Sequence, residues 1–554
     1  MPTGAELFAD GLGKLGIGEV FTLVGDHLND VLLAIEKAGI RVIDMRHESG
    51  VTHAADAWAR IHRKPAVSLV TGGPGHTNSL TGIGTAHLAA SPLIAVSGAP
   101  AQSLAGRQVF QVIDQVGMTA PVVKWAAAAT GAAQIPYLLG RAYNEANSGR
   151  KGAVHLSVPV DVFAASADAP LPMPEGRSRS CNAPAPEEID QALGMLFSAR
   201  KPVVIAGSGV WWGRAEGELD QFIRRTRLPL FTVTMARGLI SDSARGVYGY
   251  ADPAINQAVL PAFRDADVAL VLGKRLDYRL ALGGPRLFAP HTRIIQVDLH
   301  EPELGAARAI ELGICADVKA ALTALLDRAG SKPWQPLKPW LRALANHRRD
   351  YQRRLDQIAA DASTPIHPAA FFAELRKAMP KGTLISWDGG DFVHWGRAMI
   401  PATERGGWLR LGPMGTIGSA LPNSVSLQMA NPGRPVVMIT GDGSLGFYIA
   451  ELETLVRYNL PVVLIVGNDG GWGLERELQR ELTGDKTVAC ELQHTRYDVV
   501  MQGFGGGGET VEKVGQIGPA IHRAFAAKKP YLLNVIVRGA RSPFTEWQIA
   551  GKKK

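Results

Sequence analysis

The densest set of groups able to do chemistry lies in TGDGSLGFYIAELETLVRYNLPVVLIVGNDGGWG, residues 440–473. One apolar run ends at Asp442, Gly443 and Ser444 open a helical stretch, and a second apolar run ends at Asn468 and Asp469. Between them Tyr448, Leu452, Leu455 and Val456 fall on one helical face. A strand–helix–strand unit returns the chain beside its start. The two carboxylates then meet at the carboxyl ends of neighbouring parallel strands, where open α/β sheets place ligands. Free N–H groups and the positive dipole end at Gly443 and Ser444 would face a phosphate. Two acids beside a phosphate suit Mg²⁺, a hard cation bound by oxygen. GDGS alone is as well explained by a helix cap, but the whole spacing through GNDGG favours a ligand site.

The elements that must position these groups repeat along the chain. Apolar runs at 19–24, 40–45, 66–71 and 92–98 alternate with helical patterns, as do runs at 202–207, 228–233, 268–273 and 293–298. A third series follows at 384–388, 435–440, 461–466 and 532–537. This predicts an α/β fold of three doubly wound parallel-sheet domains, at 1–165, 188–330 and 365–540, with a basic tail at 541–554. Proline-rich breaks at 163–187 and 331–340 separate them, and a basic helix through 347–355 follows the second.

The 554 residues are 46% hydrophobic and 20% charged, a globular composition rather than a disordered one. No apolar run is long enough to span a bilayer, and the N-terminus lacks a secretory pattern. Cys181, Cys315 and Cys490 lie far apart, which argues against a disulfide framework or a cysteine metal cluster and fits a cytoplasmic setting. The net charge of +8 is scattered, so a phosphorylated ligand is a better reading than nucleic acid.

The 440–473 segment resembles the signature of thiamine diphosphate enzymes, GDG followed at this spacing by an Asn pair. Here the second Asn is Asp469, which leaves one extra negative charge at the metal. The resemblance covers essentially the whole chain. It implies Asp442, Asp469 and the Gly471 carbonyl as Mg²⁺ ligands, with Trp472 beside the cofactor. It also implies a pyrimidine-binding first domain, a central domain and a diphosphate-binding third domain. RHESGVTHAADAWAR (46–60) matches the family's activating acid, which makes Glu48 the partner of the pyrimidine N1′. VGDHLND (24–30) and TGGPGHTNS (71–79) resemble the glycine turns that border the pyrimidine, bringing in Gly25 and Asn78. His27 sits in the first turn, from which some members project an active-site histidine. GRQVFQVIDQVGMTAPVVKW (106–125) resembles a loop that places Gln111 near the reacting carbon. In WDGGDF (387–392) and LGPMGTIG (411–418), Gly389 and Gly390 clear space for the thiazolium and Met414 matches the apolar residue under the folded cofactor. The family's active site lies between two subunits, so self-association is implied. Its central domain binds FAD in some members, ADP in others and nothing in many, which leaves ADP or FAD open here.

The best overall resemblance is to the branch of 2-hydroxyacyl-CoA lyases and oxalyl-CoA decarboxylases. GRAMI (396–400) and Arg405 resemble that branch's nucleotide-contact segment, so Arg397 and Arg405 are the expected CoA contacts and the tail a lid over them. The implied reaction cleaves a 2-hydroxyacyl-CoA to formyl-CoA and an aldehyde or ketone, with His27, alone or with Gln111, handling the hydroxyl proton. Acetolactate synthase-like, oxalyl-CoA decarboxylase and benzaldehyde lyase-like enzymes are the alternatives, GKRLDYRLALG (273–283) departing from the usual acetolactate synthase segment. A cofactor-binding scaffold without turnover is the non-enzymatic one.

Overall fold

The computed structural model describes residues 1–174 and 182–552. Part of the first proline-rich break (175–181, with Cys181) and Lys553 and Lys554 of the tail lie outside the described residues. The chain forms three six-stranded sheets, parallel throughout, each with helices on its faces.

The first sheet contains β1 (Glu19–Leu23), β2 (Arg41–Asp44), β3 (Ala66–Val70), β4 (Leu93–Ala99), β5 (Ala126–Ala128) and β6 (Val154–Pro159), in the order β2-β1-β3-β4-β6-β5. The second contains β7 (Pro202–Ala206), β8 (Leu230–Thr232), β9 (Val247–Tyr250), β10 (Val268–Leu272), β11 (Arg293–Asp298) and β12 (Leu312–Cys315), ordered β12-β11-β10-β7-β8-β9. The third contains β13 (Leu384–Trp387), β14 (Trp408–Arg410), β15 (Val436–Gly441), β16 (Val462–Asn468), β17 (Gly507–Val511) and β18 (Tyr531–Ile536), ordered β14-β13-β15-β16-β18-β17. Central strands such as β16, VVLIVGN, are buried on both faces, which is why they read as unbroken apolar runs.

The second domain has its own apolar core, whereas one continuous core joins the first and third. Small residues make that junction. The helix Glu48–His62 buries Ala54, Ala55, Ala57 and Ala59, and Ser426 Oγ of the third domain donates to the Ala54 carbonyl at 2.6 Å. On its other side Gly82 comes so close that a Cβ there would overlap Thr52. Burial of these surfaces holds the start of the helix, and with it Glu48, against the third domain.

Within the basic tail, expected as a lid, Pro543–Lys552 is a helix docked on the third domain. Ser542 and Thr545 are fully buried and both hydroxyls donate to Asp391 Oδ1. Trp547 stacks under Arg286 of the second domain, 3.6 Å from its ring centre. Buried polar contacts hold it in position.

Candidate active site

Strands β15 and β16 pair in register with Gly441 opposite Gly467, so the residues just beyond them emerge side by side. Asp442 follows one strand and Asp469 the other. Asp442 is 2% exposed and its Oδ2 accepts the Gly471 N–H at 3.0 Å. Burial raises the pKa of both carboxyls, and the Asp442 charge raises that of Asp469 further. Arg476, 3.4 Å from Asp469 Oδ2, only partly offsets this. Two acids crowded in this way are completed well by a divalent cation, with a carbonyl and ligand oxygens filling its shell. Among the described residues no cluster of three or more His, Cys, Asp or Glu side chains is placed to hold a metal, so the side chains present fit Mg²⁺ only with such added oxygens.

Gly389, Gly390, Asp442, Gly443, Ser444, Asp469, Gly471 and Trp472 all line one cavity of about 820 Å³. The glycines are there for space. A Cβ on Gly443 would lie 2.8 Å from the Trp472 ring. One on Gly467, just inside the strand, would lie 2.2 Å from Phe392. The helix start and the glycine floor make a cradle that fits a diphosphate. Sequence reasoning missed Asp388, which is buried and shifted up to about 6 by desolvation. It accepts N–H groups from Gly389 at 2.8 Å and Gly418 at 3.0 Å, tying WDGGDF to the loop that carries Met414. Met414 itself is half exposed outside this cavity, where its sulfur accepts the Thr85 hydroxyl at 3.5 Å.

The first domain assembles a second group around the loop 71–79. Asn78 Nδ2 donates to Glu48 Oε2 at 3.0 Å, and Gly75 faces the other Glu48 oxygen. His27 Nδ1 lies 2.9 Å from Thr71 Oγ1, and burial lowers the pKa of the ring. Gly25 packs on Thr71 as well. Gln111 presses its Cβ against Gly73, with φ +62° and a buried Oε1 that has no partner among the described residues. Glu48, His27, Gln111 and Asn78 are thus gathered on one loop, and none of them lines the third-domain cavity.

Glu451 is a further residue that sequence reasoning passed over. Its carboxylate accepts the Arg46 N–H at 3.1 Å and the Thr454 hydroxyl at 2.6 Å, fixing the turn that leads into Glu48. Next to Glu48, Ser49 Oγ meets the Tyr448 hydroxyl at 2.7 Å. The only sequence signal was an acid in an otherwise apolar helical face.

Family models for thiamine pyrophosphate enzymes match three stretches: the N-terminal TPP binding domain at residues 2–118, the central domain at 189–325 and the C-terminal TPP binding domain at 388–535. The chain belongs to the thiamine pyrophosphate enzyme family. It is similar to an acetolactate synthase large subunit of Mycobacterium tuberculosis, 35% identical over 96% of this chain and 95% of that protein. It is also similar to a 2-hydroxyacyl-CoA lyase of Oryza sativa subsp. japonica, 31% identical over 96% of this chain and 95% of that protein. The oxalyl-CoA decarboxylase of Escherichia coli (strain K12) is 26% identical over 97% and 95%. The chain is therefore a thiamine diphosphate-dependent enzyme of carbon–carbon bond chemistry.

The two arginines expected to meet CoA are engaged elsewhere. Arg397 is 2% exposed, donates to the Tyr250 hydroxyl at 2.6 Å and lies 3.6 Å from Asp252. Arg405 pairs with Glu216, which also takes Arg63 at 3.1 Å. Both join the third domain to the second; burial closes Arg397 to a phosphate, whereas Arg405 stays exposed beside Glu216. A second cavity lies between the first and second domains and reaches Arg410 and Pro413. Lys274, Arg150 and Arg275 line it, together with Asp298 at the end of β11. No helix is long and apolar enough to cross a membrane among the described residues.

Proposed function

We propose that the protein is a Mg²⁺- and thiamine diphosphate-dependent lyase that cleaves a 2-hydroxyacyl-CoA to formyl-CoA and an aldehyde or ketone, and runs the condensation in reverse. When bound, the cofactor supplies a nucleophilic carbon that adds to a carbonyl and takes up the electron pair of the broken bond. The observation that carries the reading is the convergence of the two acids, the glycine floor and Trp472 on one cavity. Asp442, Asp469 and the Gly471 carbonyl would hold Mg²⁺, and Gly443 and Ser444 the diphosphate. Glu48, oriented by Asn78, would hold the pyrimidine, with Gln111 offering its unpartnered oxygen to a donor on the bound ligands.

Because the Glu48 group and the cavity are separate in one chain, a second copy would bring them together. Apolar surface beside each half supports this: Phe110 is 80% exposed and Phe447 56%. With Arg397 and Arg405 occupied, the CoA handle rests on the named lyase and decarboxylase relatives. The cavity between the first and second domains, rich in cations, suits ADP or FAD, and the cytoplasm suits the free Cys315 and Cys490.

A second reading, acetolactate synthesis from pyruvate, is favoured by the mycobacterial relative. A panel of pyruvate, oxalyl-CoA, benzoin and short 2-hydroxyacyl-CoAs, assayed with Mg²⁺ and cofactor, decides between them. Formyl-CoA release from the hydroxyacyl-CoAs is expected; acetolactate from pyruvate as the dominant product would replace the proposal.

A further inference from the structure

The tautomer of His27 limits what that residue can do. The Gly72 N–H points at His27 Nδ1, at 3.2 Å. A backbone N–H can only donate, so Nδ1 must offer its lone pair. A neutral imidazole with a bare Nδ1 carries its proton on Nε2. The Thr71 hydroxyl, 2.9 Å from Nδ1, rotates to suit and does not oppose this assignment. The ring is wedged in place: a Cβ on Gly72 would lie 3.2 Å from His27 Cε1, and one on Gly98 2.6 Å from His27 Cβ. Both glycines therefore allow the imidazole to reach the backbone that fixes it.

Nε2 meets no protein group among the described residues, yet it is not one of the sealed, unpartnered atoms. The free edge of the ring is thus the one with the proton. Its surroundings keep it neutral: burial lowers its pKa, and the charge of the adjacent Asp26 only partly counters this. Gln111, whose Cβ would lie 2.8 Å from a Cβ on Gly73, packs on the neighbouring glycine.

We infer that His27 serves as a fixed hydrogen-bond donor through Nε2–H to the oxygen of the carbonyl group at which the carbon–carbon bond forms or breaks, and not as the base that takes a hydroxyl proton. A neutral ring with Nδ1 engaged by Gly72 has no vacant lone pair facing the substrate. It can instead stabilise negative charge on that oxygen in either direction of the reaction. Gly72 is a positioning residue in this scheme, acting through its N–H alone. The inference rests on the proposed lyase reading for the identity of the oxygen, but the tautomer does not.

Two measurements test it separately. The ligand-free protein, labelled with ¹⁵N-histidine and assigned by comparison with His27→Gln, reports which ring nitrogen is protonated. The expected spectrum has a pyrrole-type Nε2 and a pyridine-type Nδ1 at neutral pH; the reverse pattern overturns the inference. In the second, turnover of the best substrate in the panel is compared across His27→Gln, His27→Asn and His27→Ala. The glutamine amide reaches the Nε2 position and supplies an N–H there, whereas asparagine reaches only Nδ1. His27→Gln should stay within about tenfold of wild type, while the other two fall about a hundredfold or more. His27→Asn matching or exceeding His27→Gln, or equal losses in all three, would reject the donor role. A wild type inert on every substrate would instead reject the lyase reading, and the spectrum would still decide the tautomer.

Discussion

Glu451 gives a sharp test of how the first and third domains are joined at the activating acid. Its carboxyl is fully buried and titrates at about 7 rather than 4.5, because desolvation outweighs the hydrogen bonds from Thr454 and Arg46. A shift of that size places the ionised form about 3 kcal/mol higher in the folded protein than in the unfolded chain. The folded state therefore holds the extra proton between pH 4.5 and 7, and stability falls as pH rises through that window. Above about 7 the loss is complete. Glu451→Gln cannot ionise and so escapes the loss, while its altered hydrogen bonds cost the same at every pH. The assay is the melting temperature of the cofactor-free protein, wild type against variant, at pH 5 and pH 8 in one ionic strength. Relative to wild type, the variant should gain on moving to pH 8, by at most about 6–12 °C for a domain of this size. An equal difference at the two pH values, or a variant that loses ground at pH 8, would refute the reasoning.

Three other outcomes follow from the geometry. Gly467→Ala sets a methyl 2.2–2.4 Å from Phe392 ring carbons, so it should cost about 1–3 kcal/mol and lower the melting temperature; an unchanged value would show that the ring can move aside. Thiamine diphosphate should raise the melting temperature only when Mg²⁺ is present, and an undiminished rise in EDTA would remove Asp442 and Asp469 from diphosphate binding. Gln111→Gly relieves a left-handed φ of +62° that costs about 1 kcal/mol, so melting should hold or rise while turnover drops. Full turnover in that variant would take Gln111 out of the site.

The parts of the fold that were legible are those where burial imposes a continuous apolar run. β15 and β16 could be placed from PVVMIT and PVVLIV, and with them the two acids at their ends. The strands β5, β6, β9, β12, β14 and β17 were not. All but β6 are short pieces at sheet edges, where one neighbour suffices and little apolar pattern is needed. β6, VHLSVP, is an interior strand whose buried His155 and Ser157 interrupt the apolar run. The site shows the same division. Residue types carried by local motifs, such as Glu48 at the start of its helix or Gly443 beside Asp442, could be singled out. Glu451 and Asp388 could not, because their importance comes from backbone N–H groups that only folding brings to them. Arg397 and Arg405 are visible as cations, but Tyr250, Asp252 and Glu216 are remote in the chain, and those partners decide that the arginines bridge domains.

The central claim is that an acid on the first domain activates a cofactor held by the third. Deuterium exchange at C2 of thiamine diphosphate measures this without any substrate. With Mg²⁺ present, wild type should accelerate exchange over free cofactor, and Glu48→Gln should bind the cofactor yet lose most of the acceleration. Equal exchange in the two proteins, or wild-type exchange no faster than in solution, would contradict the account.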